Sequence, residues 1–154
     1  VKTILKVVVL LPGVLFVVMG VRWLVAPTGI ASELGFALAD GIGRSSQIGD
    51  FGAFFLTAGT CILIGVVSGT RAWFYPPAML LLLAATGRVL AWVLHDAAFA
   101  GGMILFEIAV GLLLLAGSRW LGEPSALGKE PSALGKEPSA LHKEPSARDK
   151  EPSA

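Results

Sequence analysis

Residues 73–115, WFYPPAMLLLLAATGRVLAWVLHDAAFAGGMILFEIAVGLLLL, decide the fold. A helix needs about 20 mostly apolar residues to cross the hydrocarbon core of a bilayer, and this stretch holds two such runs, 73–94 and 97–115. Nothing but a short turn containing His95 and Asp96 separates them. A link that short forces the two helices to return side by side in opposite directions. Each run carries one charge that a purely lipid-facing span would exclude: Arg88 in the first and Glu107 in the second. Both lie nine or ten residues from Ala97-Ala98, so an antiparallel hairpin puts them at one depth, about 14 Å below the surface at a rise of about 1.5 Å per residue. An Arg88–Glu107 pair is therefore expected.

Working outward, two more runs meet the length, 4–24 and 48–67, and the chain reads as an all-α integral membrane four-helix bundle. Its composition agrees: 55% of the 154 residues are hydrophobic and the mean hydropathy is +0.76. Only seven of the twelve basic and five of the eleven acidic residues fall in the first 122 positions. A net charge of +1 offers no concentrated basic face, which excludes nucleic acid as a partner. The lone cysteine, Cys61, rules out an intrachain disulfide and reads as a buried thiol. Lys2 and Lys6 ahead of an apolar run resemble a secretory leader, but no small-x-small cleavage site follows and Pro12-Gly13 interrupts the run, so a retained first helix is expected.

Basic residues near the helix ends set the orientation. Lys2, Lys6, Arg71 and Arg119 fall on one side, with the basic residues of the tail, while Arg22 and Arg44 fall on the other. Both termini are then cytoplasmic. Trp23 and Trp92 close the first and third spans, and Trp73 and Trp120 mark the opposite side, as expected of amphipathic rings at headgroup level. In the second span Gly49, Ala53, Thr57, Cys61, Gly65 and Gly69 recur every four residues, a small-residue ridge for close helix packing. A homo-oligomer face is the alternative use of that ridge. The link 25–47 is Gly-rich, and its apolar middle, 30–38, is expected to form a short interfacial helix, either an entrance lid or a passive connector.

Residues 123–154 repeat as EPSALGK, EPSALGK, EPSALHK, EPSARDK and EPSA. A period of seven suggests a coiled coil, but each unit has a proline and at most one large apolar residue where a heptad seam needs two. The tail is expected to be disordered.

Charges at membrane depth are costly unless paired or hydrated, which makes Asp50, Arg88 and Glu107 the sharpest functional signal. Asp50 enters from the side on which Arg22 ends the first span, and one-turn spacing aligns Arg88 with Trp92 and His95. The expected site is a polar pocket open away from the cytoplasm and lined by Arg22, Gln47, Asp50, Arg88, Trp92, His95 and Glu107. Arg88 would offer a fixed positive charge to a carbonyl or anionic head, Asp50 and Glu107 would orient or neutralise it, and Trp92 would give an apolar wall. Three readings stay open: a structural Arg–Glu pair, a pocket for a lipid or quinone, and a proton or ion path. Four short spans without a visible inverted repeat weigh against a proton-coupled transporter. No Ser-His-Asp order, phosphate-binding glycine loop or zinc motif is present, and His95-Asp96 reads as a helix-end cap.

The stretch Gly43-Arg44-Ser45-Ser46-Gln47-Ile48-Gly49-Asp50-Phe51-Gly52-Ala53-Phe54-Phe55, with Arg22-Trp23 and Pro27 before it and Arg88 and Glu107 after it, resembles a bacterial four-helix membrane protein family of unknown function near the DoxX-like group. The resemblance covers residues 4 to 120. It implies a multi-pass protein of the bacterial inner membrane, with the pocket facing the periplasm. Some DoxX-like proteins are membrane partners of quinone-linked oxidoreductases, which implies a role as a subunit or scaffold of such a complex. The chain has no cysteine pair or haem-ligand set of its own. The combined expectation is a non-enzymatic binder of a lipid-like or quinone-like small molecule, with a membrane-complex subunit as the alternative.

Overall fold

A computed structural model describes residues 2–121; the repeats of 123–154 and the disorder expected of them lie outside the described residues. The elements are α1 (Lys2–Val25), α2 (Pro27–Glu33), α3 (Gly41–Ser68), a 3-10 turn (Arg71–Phe74), α4 (Tyr75–His95) and α5 (Gly101–Leu121). Four segments, Thr3–Val25, Gly41–Ser68, Arg71–His95 and Gly101–Leu121, are long and apolar enough to cross a membrane. Much of that apolar surface, including Ile4, Leu11, Leu83, Leu105 and Leu112, faces outward. In water such a surface would drive aggregation; against lipid it is the ordinary exterior of a spanning bundle. The chain is a multi-pass membrane four-helix protein.

Helix bounds depart from the hydropathy runs for identifiable reasons. α3 starts at Gly41 rather than 48, because Gly41 to Gln47 form two polar turns that continue the helix beyond its apolar part. α4 stops at His95, where Asp96 takes the left-handed conformation (φ 52°) and the Ala97 N–H bonds to the Ala91 carbonyl. That closure pushes the start of α5 to Gly101. Pro12 does not break α1, as spanning helices commonly tolerate proline. The short helix of the 25–47 link is α2, opened by Pro27 in its first turn, and residues 34–40 beyond it are not helical.

The helices pack as two antiparallel pairs, α1 against α3 and α4 against α5. Glycine sets the first pair. A Cβ on Gly59 would lie 2.7 Å from the Val17 backbone nitrogen and 2.8 Å from the Gly13 carbonyl oxygen, and one on Gly20 would lie 2.8 Å from the Leu56 nitrogen. The close approach therefore runs along Gly13 and Gly20 of α1 and Gly52 and Gly59 of α3. This corrects the ridge read from the sequence: Gly49 meets nothing within 4 Å and Ala53 and Thr57 are exposed, while in its other half Cys61 and Gly65 are buried and Gly69 is the left-handed cap that ends α3.

Val9, Phe16, Ile62, Phe74, Ala78, Leu81 and Leu114 join the two pairs in one core. Val9 also packs on Gly117, so the start of α1 and the end of α5 lie at the same end of the bundle. A second cluster, at the opposite end, seats α2: Trp23, Ile30 and Ala31 pack with Leu34, Phe36, Phe51 and Phe55. Trp23 is not a boundary anchor. It is fully buried, stacked on Phe51 with ring centroids 4.8 Å apart, because α2 folds back over it.

Candidate functional site

Toward the α2 end the two helix pairs separate and leave a cavity of about 420 Å³. α1 contributes Phe16 and Met19, α3 Asp50, Phe51, Phe54 and Phe55, α4 Leu81, Ala84 and Arg88, and α5 Gly102, Met103, Phe106 and Glu107. Leu34 and Phe36, just past α2, complete the wall. Six of the eight phenylalanines in the chain thus surround one space, and its ionisable groups are Asp50, Arg88 and Glu107.

Arg88 and Glu107 form the pair expected of the hairpin. Arg88 Nε donates to Glu107 Oε1 at 2.9 Å and to Oε2 at 3.1 Å. The Glu107 side chain is 9% exposed and that of Arg88 33%. Glu107 sits six residues from the start of α5 and Arg88 seven from the end of α4, which is about 9 to 11 Å along the helices. The depth is less than the sequence implied because the turn is longer, taking in residues 96–100. Only the Nε edge of the guanidinium is used: Arg88 Nη1 and Nη2 have no hydrogen-bond partner among the described residues. Asp50 is exposed and also makes no hydrogen bond or ion pair among the described residues.

The other four expected residues lie outside the cavity wall. Arg22 makes a two-point contact with Glu33, at 2.8 and 2.6 Å, that ties the end of α1 to α2. The Arg22 hydrogen bonds hold the Glu33 carboxyl below the usual carboxylate range. Gln47 is a fastener. Its Oε1 accepts from the Ala39 N–H at 2.7 Å and its Nε2 donates to the Ala37 carbonyl at 3.1 Å, fixing the segment after α2 onto α3. Trp92 is half exposed and packs on Phe99, with centroids 5.1 Å apart. His95 is the exposed last residue of α4. Trp92 and His95 share a helical face with Arg88 but lie one and two turns beyond the level at which the cavity ends on α4.

The aromatic wall is what sequence reading missed. Phe51, Phe54 and Phe55 at i, i+3 and i+4 carried a signal, since that spacing puts all three on one side of α3. Chemically, the cavity offers two carboxylates and a guanidinium in an apolar aromatic shell, with no hydroxyl, thiol or imidazole among its lining residues. Compared with protein-family models, with curated proteins and with solved structures, the chain matches none.

Proposed function

We propose that this protein is a non-enzymatic binder of a lipid-like or quinone-like small molecule, held in the cavity between its two helix pairs. The observation that carries the reading is the enclosure itself: about 420 Å³ walled by six phenylalanines, with Asp50 and the Arg88–Glu107 pair at its polar side. Concave, mostly apolar space with a few convergent polar groups is the usual form of a small-molecule site. A purely structural Arg–Glu pair would gain most from using both nitrogen edges and being packed against side chains; here two guanidinium nitrogens are left over for a ligand acceptor.

The reading places the protein in a bacterial inner membrane as a DoxX-like protein, with both ends in the cytoplasm and the cavity toward the periplasm. Its support is the shared end of Lys2, Lys6, Arg71 and Arg119 and the motif around Asp50. Native mass spectrometry of protein extracted in lipid-preserving amphiphile is the test. A small molecule should copurify with the wild type and be lost from Ala84→Trp, which fills the cavity. Equal spectra for the two would refute the proposal.

The face of α3 formed by Gly49, Ala53 and Thr57 favours a second reading, as a subunit or scaffold of a membrane complex. Among the described residues all three are exposed and Gly49 meets nothing within 4 Å, and small faces are where spanning helices meet. A Gly49→Leu variant should then lose a crosslinked partner or copy that the wild type retains; a wild type that stays monomeric under crosslinking contradicts it.

A further inference from the structure

We infer that the head group the cavity selects is cationic, a hydrophobic amine or quaternary ammonium; this rests on the reading that the cavity binds a small amphiphile. The groups facing the space carry two formal negative charges, Asp50 and Glu107, against the single positive charge of Arg88. Arg88 is engaged with Glu107 at 2.9 Å, and Asp50 has no partner among the described residues. The site is thus left with one uncompensated carboxylate, exposed at the edge of apolar walls, where a nearby charge is screened less than in bulk water. An anionic ligand would add to that imbalance, and a neutral one would leave it. A monovalent cation would cancel it.

The walls point the same way. The faces of aromatic rings carry negative electrostatic potential and attract ammonium groups. Phe51, Phe54 and Phe55 flank Asp50 on α3, and Phe16, Phe36 and Phe106 close the space from α1, the loop after α2 and α5. Met19 and Met103 add polarisable, adaptable surface suited to an organic body rather than to a hydrated metal ion. The volume, about 420 Å³, fits a compact organic molecule.

The test is calorimetry on the full chain in zwitterionic phosphatidylcholine nanodiscs, with empty nanodiscs subtracted. Three probes share one body: 4-phenylbutyl-trimethylammonium, its uncharged tert-butyl isostere, and 4-phenylbutane sulfonate. The ammonium should bind about tenfold or more tightly than the isostere, and the sulfonate more weakly than both. Asp50→Asn should abolish the preference for the ammonium over the isostere, and Asp50→Glu should restore it. An isostere or sulfonate that binds wild type as tightly as the ammonium overturns the cationic selection and leaves the binding site standing. If no probe binds wild type better than the cavity-filled Ala84→Trp, both the selection and the binding reading fall.

Discussion

Arg88 and Glu107 meet through one nitrogen: Nε donates to both carboxylate oxygens, at 2.9 and 3.1 Å, across a hairpin that separates the residues by nineteen positions. The contact fixes the register of α4 on α5 and, with it, the shape of the cavity wall. Removing one partner strands a charge in a poorly solvated place, so Glu107→Ala should destabilise the bundle by about 3 kcal/mol, the lower end for a broken buried pair because Arg88 keeps partial exposure. The double variant Arg88→Met with Glu107→Met should recover most of that loss. Thermal unfolding in detergent measures both, and, with Arg88→Met and Glu107→Met measured singly, strictly additive effects would mean that the two side chains are not coupled.

Helix pairing gives a sharper packing prediction. Gly59→Ala sets a methyl 2.7 Å from the Val17 backbone nitrogen, and backbone cannot move aside as a side chain can. It should cost about 1–3 kcal/mol. Gly49→Ala, with nothing within 4 Å, should change monomer stability by less than about 0.5 kcal/mol. Equal losses at the two sites would mean that α1 and α3 do not meet where described.

How much of this could be read from the sequence depends on what each residue competes with. Arg88 and Glu107 were legible because charges are rare in spans and antiparallel helices conserve depth. The phenylalanine wall was largely hidden, because in a membrane helix nearly every position is apolar and hydrophobic periodicity no longer marks the inside. Trp23 ends an apolar run whether it anchors a boundary or fills a core, and only the fold-back of α2 decides between the two. Small residues lie on two faces of α3; Gly13 and Gly20 on α1 select the face of Gly52 and Gly59. Polar turns such as Gly41 to Gln47 extend a helix without any hydropathy signal, which is why the start of α3 fell seven residues early. Gln47 looked like a pocket residue because the backbone groups that use it, the Ala37 carbonyl and the Ala39 N–H, carry no sequence signature.

The Arg22–Glu33 contact makes the docking of α2 sensitive to acid. The Glu33 carboxyl is held below its ordinary value in the folded protein, so the contact stabilises the fold above the ordinary carboxylate range and that contribution is lost as pH falls through the folded value. Amide hydrogen exchange across residues 28–33, corrected for intrinsic rates, should accelerate on acidification in the wild type. Glu33→Gln should exchange faster at neutral pH and show a flatter pH response. An identical profile for the two proteins would remove the contact from the account.

Gln47 holds the segment that bears Leu34 and Phe36 over the cavity. Gln47→Ala removes two hydrogen bonds and leaves the Ala39 N–H without its acceptor, a local cost of about 1–3 kcal/mol. Exchange at the Ala39 amide should speed up by an order of magnitude or more, whereas the α4–α5 hairpin should be unaffected. Unchanged protection at Ala39 would show that other contacts hold the segment.

The most direct test of the central claim is a structure determined in a lipid-preserving nanodisc at a resolution that shows side chains and bound small molecules. Non-protein density is expected inside the space walled by the six phenylalanines, with its polar end beside Asp50 and the Arg88–Glu107 pair. A cavity closed by collapse of Phe51, Phe54 and Phe106 onto one another, with Arg88 and Glu107 in contact and no density beside them, would contradict it.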